Sequence, residues 1–478
     1  MLDLDRSPST IPARLPAIVG DRAEPADFVR PLDESSHDTP VARSAEPHAR
    51  HARHGHPHSH RRHVPSTLSL RRLLVVSALV LLLPAILIAA VLLDTQPDPP
   101  PSETAPAFGV LTQIPDDILR GQLDRSQQVT RLTAKLTGPT LLSAAETGST
   151  DPGALPTLAV TPRAAPYTLA ELRSLVPAAF TELGTDTGVD GPLLLTANLQ
   201  VPLDATVVID TQTPDVRLSS TPSGFATIIS RGTVEIVGDA GTQVRISSWD
   251  PRTGRVDGDS SDGRSFIAQI GGRMDVTHAV LGYLGFNLGL SSGVAWSGAS
   301  ASTAHPEPVS ARGTVSSSLF AHNYFGAYTR DADGMVWTGD FFADNEQYGF
   351  DPHDFSNNFI VAGNASYHNG KHGFIFSRGC THNLLVGNVA YGNGGHGFMI
   401  DDGRSLASDT AQTRIDGSND NLLLRNFSAA NAGNGVEVEG GTGNVVDGNR
   451  INDNYIGVRI KDGASASVRD NTMADNLR

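Results

Sequence analysis

The chain has 478 residues, and its formal net charge at pH 7 is -15, from 36 Lys and Arg against 51 Asp and Glu. A nucleic-acid-binding protein needs an excess of basic side chains to pair with phosphates, so this balance excludes that class. The single cysteine, Cys380, excludes an intrachain disulfide framework. The length exceeds that of one ordinary domain, which predicts several segments of different character.

The first 93 residues contain two segments that differ from the rest. Residues 1–72 are rich in Pro, Arg, His, Ser and Asp and poor in aromatic residues, which predicts a disordered tail. Residues 73–93 are apolar apart from Ser77 and Pro84, and a helix of this length spans a hydrocarbon core of about 30 Å. Basic residues precede the run and acidic residues follow it, which predicts a single-pass membrane anchor with a cytoplasmic N-terminus and an extracytoplasmic remainder. A cleaved signal peptide is the alternative, although its apolar stretch is usually shorter.

Two patterns suggest metal ligands, and neither is assigned a metal. Residues 48–63 contain seven His, but no carboxylate or Cys fixes a coordination geometry, so a solvated tail explains them better. Asp257, Asp259 and Asp262 precede Gly263, but their spacing does not match an EF-hand calcium loop. The sequence predicts no cofactor.

Residues 94–190 are expected to form an extracytoplasmic linker with short helices. A Pro-rich stretch at 96–103 predicts an extended stalk. Helical periodicity follows at 115–136 and at 168–183, where Thr168 is a candidate N-cap with Glu171 three residues later. From about Leu193 the period changes to two, and short β-branched runs alternate with Gly, Pro, Asp and Ser. We therefore expect residues 191–478 to form one all-β catalytic domain.

The C-terminal part repeats itself at intervals of 22 to 24 residues. Gly follows the Asn-rich turns at spacings of 23, 24 and 24, at Gly326, Gly349, Gly373 and Gly397. A second series has spacings of 24, 38 and 23, at Asn364, Asn388, Asn426 and Asn449. The longer interval indicates an insertion of about 14 residues within Asp402 to Asp420. This period predicts a right-handed, single-stranded parallel β-helix, in which the Asn residues form structural ladders between coils.

One coil carries residues suited to catalysis. It reads YGFDPHD from Tyr348 to Asp354, and the following coil reads KHGFIFSR from Lys371 to Arg378. Residues one period apart are neighbours in this fold, so Arg378 is expected one coil above His353 and Asp354, and Arg330 one coil below. A further column contains Tyr348, His372 and His396, at spacings of 24. The pattern predicts a local cationic and aromatic patch on an acidic protein.

This patch suits removal of the C5 proton from a uronic acid residue. The sugar carboxylate opposes further negative charge, and Arg378 beside it would stabilise the enolate-like intermediate. His353 is the candidate base, with Asp351 two residues earlier to orient the ring, and Tyr348 or a water is the candidate acid. Pro352 interrupts a strand ladder within the most regular part of the repeat, which indicates a special backbone at this point.

These motifs resemble the bacterial mannuronan C5-epimerases, which convert β-D-mannuronate to α-L-guluronate within alginate. The resemblance rests on YGFDPHD and on KHG and SR in KHGFIFSR, with looser similarity at SWD (248–250), GYLGFN (282–287) and GAYTRDADG (326–334). It covers roughly Leu193 to Asp402. The N-terminal tail and anchor depart from the periplasmic members of the family, and Arg330 stands where those members carry other residues.

The resemblance implies that His353 is the base and that Arg378 neutralises the substrate carboxylate, with Tyr348, Asp351 and Asp354 in the site. The remaining residues expected to contact an acidic polysaccharide are Lys371, His372, Arg330 and His396. Two alternatives stay open. A polysaccharide lyase would use the same base and the same Arg for β-elimination, and a carbohydrate-binding β-helix would need the repeat but no base.

Overall fold

The structure, a computed structural model, describes residues 128–129, 131–149, 154–184, 191–287, 289–300, 307–403 and 417–478. The predicted tail (1–72), the predicted anchor (73–93) and the Pro-rich stalk lie outside these residues. Within the described part of the chain, no helix is both long and apolar enough to cross a membrane.

Three sheets run side by side along the described domain, and each complete coil contributes one strand to each sheet. Nearly all neighbouring strands pair in parallel, in register with the equivalent strand of the next coil. The predicted all-β parallel β-helix is confirmed. The strands of sheet 1, which carries the candidate site, are Thr140–Leu142, Thr157–Ala159, Asn198–Val201, Thr227–Ser230, Phe266–Ile270, Val294–Ser297, Ala327–Arg330, Phe350–His353, Phe374–Ser377, Phe398–Asp401, Val436–Glu439 and Val458–Lys461.

The other two sheets complete each coil. The strands of sheet 2 are Tyr167–Thr168, Thr206–Asp210, Thr233–Val237, Arg273–Thr277, Thr314–Ser316, Val336–Thr338, Ile360–Ala362, Leu384–Val386, Leu422–Leu424, Asn444–Asp447 and Ala466–Arg469. The strands of sheet 3 are Phe180–Glu182, Leu193–Leu195, Asp215–Thr221, Val244–Asp250, Ala279–Gly282, Leu319–Ala321, Phe341–Ala343, Ala365–Tyr367, Val389–Tyr391, Phe427–Ala429, Arg450–Asn452 and Thr472–Ala474, with antiparallel side strands at Gly224–Phe225 and Arg255–Val256.

The core is a column of apolar side chains enclosed by the three sheets. Alternate strand residues point inward, which explains the period of two in the sequence. In sheet 1 the inward aromatic rings of successive coils lie over one another, and the Phe374 and Phe398 rings are 5.0 Å apart and nearly parallel. Each buried phenyl group contributes about 1.5–3 kcal/mol to the stability of the fold.

Buried Asn side chains join successive coils at the corners. In one ladder, Nδ2 of Asn364 donates to Oδ1 of Asn388, and Nδ2 of Asn388 donates to Oδ1 of Asn426, each over 3.0 Å. Asn388 and Asn426 are 38 residues apart and still lie on adjacent coils, so the insertion predicted from this spacing is confirmed. The structural role predicted for these Asn residues is also confirmed.

Asp340 occupies a position in this ladder where later coils have Asn. Its Oδ1 accepts a hydrogen bond from the Ser318 backbone, whereas its Oδ2 has no hydrogen-bond partner among the described residues. Burial raises the pKa of this carboxyl group well above its usual value. An amide would instead donate to Oδ1 of Asn364, which lies on the next coil and already accepts from the Asp340 N–H.

We therefore expect Asp340→Asn to raise the free energy of unfolding at pH 7 by about 1–3 kcal/mol. The pKa of Asp340 is higher in the folded state than in the unfolded state. The wild-type protein therefore loses stability as the pH rises from the unfolded-state pKa to the folded-state pKa. The gain should be smaller at about pH 4, close to the unfolded-state pKa of an Asp, because most of the pH-dependent loss of stability of the wild type occurs above this pH. Urea unfolding at both pH values measures this, with the exposed turn variant Asp470→Asn as control. Equal stability of Asp340→Asn and wild type at pH 7 would contradict the prediction.

The N-terminal coils are less regular. One α-helix spans Leu169–Leu175, and its N-cap Thr168 accepts a hydrogen bond from the Glu171 backbone, so the predicted cap is confirmed. The helix ends before the predicted residue 183, because Pro177 opens a 3-10 helix at Pro177–Ala179 and a strand follows. In the first predicted helical stretch, residues 128–129 and 131–133 are helical. The strand Thr157–Ala159 already pairs in parallel with sheet 1, so the coils begin before the predicted boundary at residue 191.

Candidate functional site

The candidate site lies on the outer face of sheet 1, on the strand Phe350–His353. Phe350 points into the core, and the alternation of the strand turns Asp351 and His353 outward. The strand pairs along its whole length with the preceding coil, but only Phe350 pairs with the following one. Pro352 has no N–H to donate, which accounts for the interrupted ladder. The special backbone predicted from Pro352 is therefore present at this strand.

Asp354 holds a cluster of basic side chains together. Its Oδ1 lies 3.1 Å from Nδ1 of His353 and accepts a hydrogen bond of 2.7 Å from Nε of Arg378. Its Oδ2 lies 3.6 Å from Nε of Arg330. The side chains of His353, Asp354 and Arg378 are between 12% and 20% exposed, so they are shielded but reachable from solvent. The predicted positions of Arg378 one coil above His353 and of Arg330 one coil below are confirmed.

The carboxylate against His353 is Asp354 and not the predicted Asp351. Asp354 has a positive φ of 25°, so the strand bends after His353 and the next side chain turns back toward the imidazole. Burial disfavours the charged form of His353, but the contact with Asp354 and the charge of Asp351 outweigh it and raise the imidazole pKa above its usual value. Burial also opposes ionisation of Asp354, yet its contacts with His353 and Arg378 lower its pKa.

Arg378 is held by an unusual backbone and by a neighbouring glycine. Its φ is 62°, and Nη1 donates a hydrogen bond of 3.3 Å to the carbonyl of Gly403 on the next coil. A Cβ on Gly403 would lie 2.1 Å from Cγ of Arg378. Only a glycine at 403 therefore leaves room for the Arg378 side chain in this position.

Tyr328 and Asp351 form the floor of the site. They are paired neighbours on adjacent strands, and the ring of Tyr328 lies 5.9 Å from that of His353. Burial raises the pKa of Tyr328, so its phenol is protonated at neutral pH. Burial also raises the pKa of Asp351 to about 7, and neither carboxyl oxygen has a hydrogen-bond partner among the described residues. Sequence analysis missed Tyr328, although its spacing of 23 residues from Asp351 would have placed it.

A second column of rings borders the site. The rings of Tyr348 and His372 are 5.3 Å apart, those of His372 and His396 are 4.7 Å apart, and both pairs are stacked within 11°. Nζ of Lys371 lies 5.3 Å from the centre of the Tyr348 ring. The predicted column is confirmed, and it lies two residues before the strands of sheet 1. Across the described residues, no group of three or more His, Cys, Asp or Glu side chains is arranged to hold a metal ion.

Known proteins resemble the chain in both fold and sequence. The family described as right handed beta helix region matches residues 294–409. The solved structure of the periplasmic alginate epimerase AlgG covers 66% of this chain and 69% of that chain with a TM-score of 0.56 and 22% identity, which shows a shared fold alone. The fold and the matched region define the class of this protein, a right-handed parallel β-helix.

The curated relatives are more specific. A mannuronan C5-epimerase of Pseudomonas syringae pv. tomato is 32% identical over 178 residues, which are 36% of this chain and 31% of that protein. A mannuronan C5-epimerase of Pseudomonas fluorescens is 40% identical over 74 residues, 15% of this chain and 13% of that protein. The resemblance to the mannuronan C5-epimerases is thus confirmed, over about a third of the length of the relative from Pseudomonas syringae.

Proposed function

We propose that this protein is a polysaccharide C5-epimerase that acts on uronic acid residues, with His353 as base and Arg378 as the group that neutralises the sugar carboxylate. The observation that carries the proposal is the contact of both side chains with one carboxylate, Asp354, on the outer face of sheet 1. The similarity to mannuronan C5-epimerases supports the same reaction class. An alginate-like acidic polysaccharide is the proposed substrate.

In the proposed mechanism, His353 and Arg378 have different tasks. Nδ1 of His353 faces Asp354, which leaves Nε2 of the neutral ring to accept the C5 proton. Arg378 offsets the charge that develops on the sugar carboxylate, an effect typically worth about 3–4 kcal/mol in comparable sites. Lys371 and Arg330 add positive charge around the same strand.

Return of a proton to the opposite face of C5 requires a second group. Burial raises the pKa of Tyr348 to about 12, so its phenol carries a proton at neutral pH. Tyr348 is therefore the proposed acid, either directly or through a water.

The proposal is tested by incubating the purified protein with poly-β-D-mannuronate in D₂O and following C5 by NMR. An epimerase exchanges the C5 proton for deuterium and inverts the configuration of some residues. A lyase instead produces an unsaturated uronate with new ultraviolet absorbance, and a binding protein produces neither change. Absence of both exchange and cleavage with every polyuronate offered would contradict the enzymatic proposal.

Asp354 sets the protonation of the base, which gives a prediction for the pH profile. Asp354→Asn should lower the pKa of His353, because burial then opposes the imidazolium without the compensating carboxylate. Since the base must be neutral, the acidic limb of kcat/KM should move to lower pH in this variant, even though its maximum falls. The kcat/KM profile between about pH 5 and pH 9 checks this. A limb that stays in place would show that Asp354 does not control the titration of the base.

We also propose that residues 73–93 anchor the catalytic domain on the outer side of the cell membrane. An apolar run of this length with basic residues on its N-terminal side favours this location. Protease treatment of intact cells that produce the chain should digest the β-helix and leave the N-terminal tail. Full protection of the β-helix would contradict the proposed location.

A further inference from the structure

The outer face of sheet 2 changes from polar to apolar along the β-helix. In its N-terminal half it carries the ion pair of Arg273 and Asp275, and Thr314 and Ser316 follow one coil later. Beyond these residues the outward positions are aliphatic on five successive coils. We name these positions the aliphatic patch, and its residues are Val336, Ile360, Ala362, Leu384, Val386, Leu422, Leu424 and Val445.

The aliphatic patch is open to solvent. Ile360 is 46% exposed and Leu422 is 38% exposed, and the other members are half-buried. Every strand of the patch pairs with a neighbour on each side, so the exposure does not come from a free sheet edge. At the usual spacing of parallel strands, five coils extend over roughly 20–24 Å. A contiguous apolar surface of this extent marks an interaction site more often than an ordinary surface.

Two rows of corner residues, here called the rims, border the aliphatic patch. The rim toward sheet 1 carries exposed polar side chains on three successive coils, at Asn358, His382 and Asp420. The rim toward sheet 3 carries two glycines and then a cation on the same coils, at Gly363, Gly387 and Arg425. A Cβ on either glycine would meet nothing within 4 Å. One rim therefore projects where the other is bare, and both end in a charge on the same coil.

Asp420 and Arg425 carry opposite charges that are too far apart to pair within one chain. They stand at opposite ends of the strand Leu422–Leu424, and extended chain of this length separates their backbones by roughly 15 Å. Arg425 is exposed, and its guanidinium has no ion-pair partner among the described residues. Oδ2 of Asp420 lies 3.7 Å from Nε2 of His382, and its side chain is 56% exposed. Each rim thus offers one charge to a partner.

A second copy of this chain, related by a two-fold axis parallel to the helix axis, matches both rims. This operation lays the two patches face to face, coil on coil, and reverses the direction of the strands. The rim toward sheet 1 of each copy then meets the rim toward sheet 3 of the other. Asp420 faces Arg425 of the second copy at two equivalent places, and His382 faces the bare corner at Gly387 of the second copy.

The aliphatic side chains match in the same arrangement. The first outward residue of each strand meets the last outward residue of the same strand in the second copy. Ile360 therefore faces Ala362, and Leu384 faces Val386. Larger side chains lie opposite smaller ones on both coils, which favours close packing across the interface.

We propose that the aliphatic patch is a self-association surface, on which two copies of this chain pair side by side with parallel β-helices and an Asp420–Arg425 ion pair at each rim. A bilayer surface fits the patch less well, because the rims carry an acid as well as a cation and the patch contains no aromatic residue. A patch of this size lies at the low end for specific dimers, so the association should be weak. The inference is independent of the proposed epimerase function, since the candidate site lies on sheet 1.

Analytical ultracentrifugation of the full-length chain in detergent tests the association. The inference predicts a reversible equilibrium between monomer and dimer. Leu384→Lys should raise the dissociation constant of the dimer at least about tenfold, because it places a charge at the centre of the apolar contact. The control is Val237→Lys, at an exposed aliphatic residue of sheet 2 outside the patch, which should leave the dissociation constant unchanged. A wild type that stays monomeric at every concentration, or a Leu384→Lys variant that associates like the wild type, overturns the inference.

Charge reversal tests the orientation of the two copies. Asp420→Arg and Arg425→Asp should each raise the dissociation constant about three- to tenfold, because each places like charges opposite one another at both rims. The double variant exchanges the two charges and should return the dissociation constant to within about twofold of the wild-type value. Recovery of this kind requires contact between copies, since the two residues are too far apart within one chain. Circular dichroism confirms that each variant is folded. A double variant that dissociates as readily as the single variants overturns the proposed pairing.

Discussion

His353→Asn is expected to lower the rate of C5 proton exchange by about 10²- to 10⁴-fold, because the ring proposed to accept the proton is lost. The strand that carries His353 should remain in place, since the inward ring of Phe350 packs against the rings of Phe342 and Phe374, and these contacts do not involve His353. Binding of the polysaccharide should therefore survive the substitution. Deuterium incorporation at C5 measures the chemistry, and isothermal titration calorimetry with the same polymer measures binding.

A matched control separates this effect from the general cost of replacing a His. His278 lies at a corner between sheets 2 and 3 with a positive φ of 46°, a conformation that Asn tolerates. His278→Asn should exchange C5 protons at the wild-type rate. If His353→Asn retained full exchange, His353 would not be the base, and the reaction would have to use another group.

Arg378→Gln is expected to lower kcat by about 10²- to 10³-fold, because the substrate carboxylate would lose the cation that is proposed to offset the developing charge. The substitution also leaves Asp354 without its shortest ion pair, at 2.7 Å. Arg378 lowers the affinity of His353 for a proton, so its removal should raise the pKa of the base. The acidic limb of the activity profile should then move to higher pH, opposite to the shift expected for Asp354→Asn.

Arg330 provides the comparison for this prediction. Its side chain is 54% exposed and its Nε lies 3.6 Å from Asp354, so it is more solvated than Arg378 and farther from the shared carboxylate. Arg330→Gln should reduce activity by a smaller factor, mainly through KM. The assignment of Arg378 would fail if the two variants lost activity equally, or if Arg378→Gln left the pH profile unchanged.

The fold could be predicted from sequence because the period determines which residues become neighbours. Parallel strands place each residue beside its counterpart one coil away, so the spacing between Asn364 and Asn388 leads directly to a contact. The same arithmetic placed Arg378 beside Asp354. The same reasoning from spacing also holds between Asn388 and Asn426, because the residues inserted between them leave both side chains in the ladder.

The details that sequence analysis missed depend on local backbone angles, which the repeat length does not predict. Alternation along a strand placed Asp351 and His353 on one face, but it said nothing about Asp354, whose positive φ turns it onto the imidazole. The helix after Thr168 is shorter than its periodicity suggested, because residues Phe180–Glu182 form a strand that pairs with Leu193–Leu195. The first coils before residue 191 pair partly through antiparallel strands, which lack the repeat that marks the later coils.

The insertion between Asp401 and Leu422 has a consequence for how such proteins diversify. The strands on either side of it remain hydrogen-bonded to their usual neighbours, Glu439 beside Asp401 and Leu384 beside Leu422. New sequence can therefore accumulate at this corner, next to Asp401, without disturbing the strand Phe350–His353 two coils away. A longer or shorter loop at this corner would change the surface beside Asp401 and leave His353 and Arg378, the residues of the proposed chemistry, in their positions.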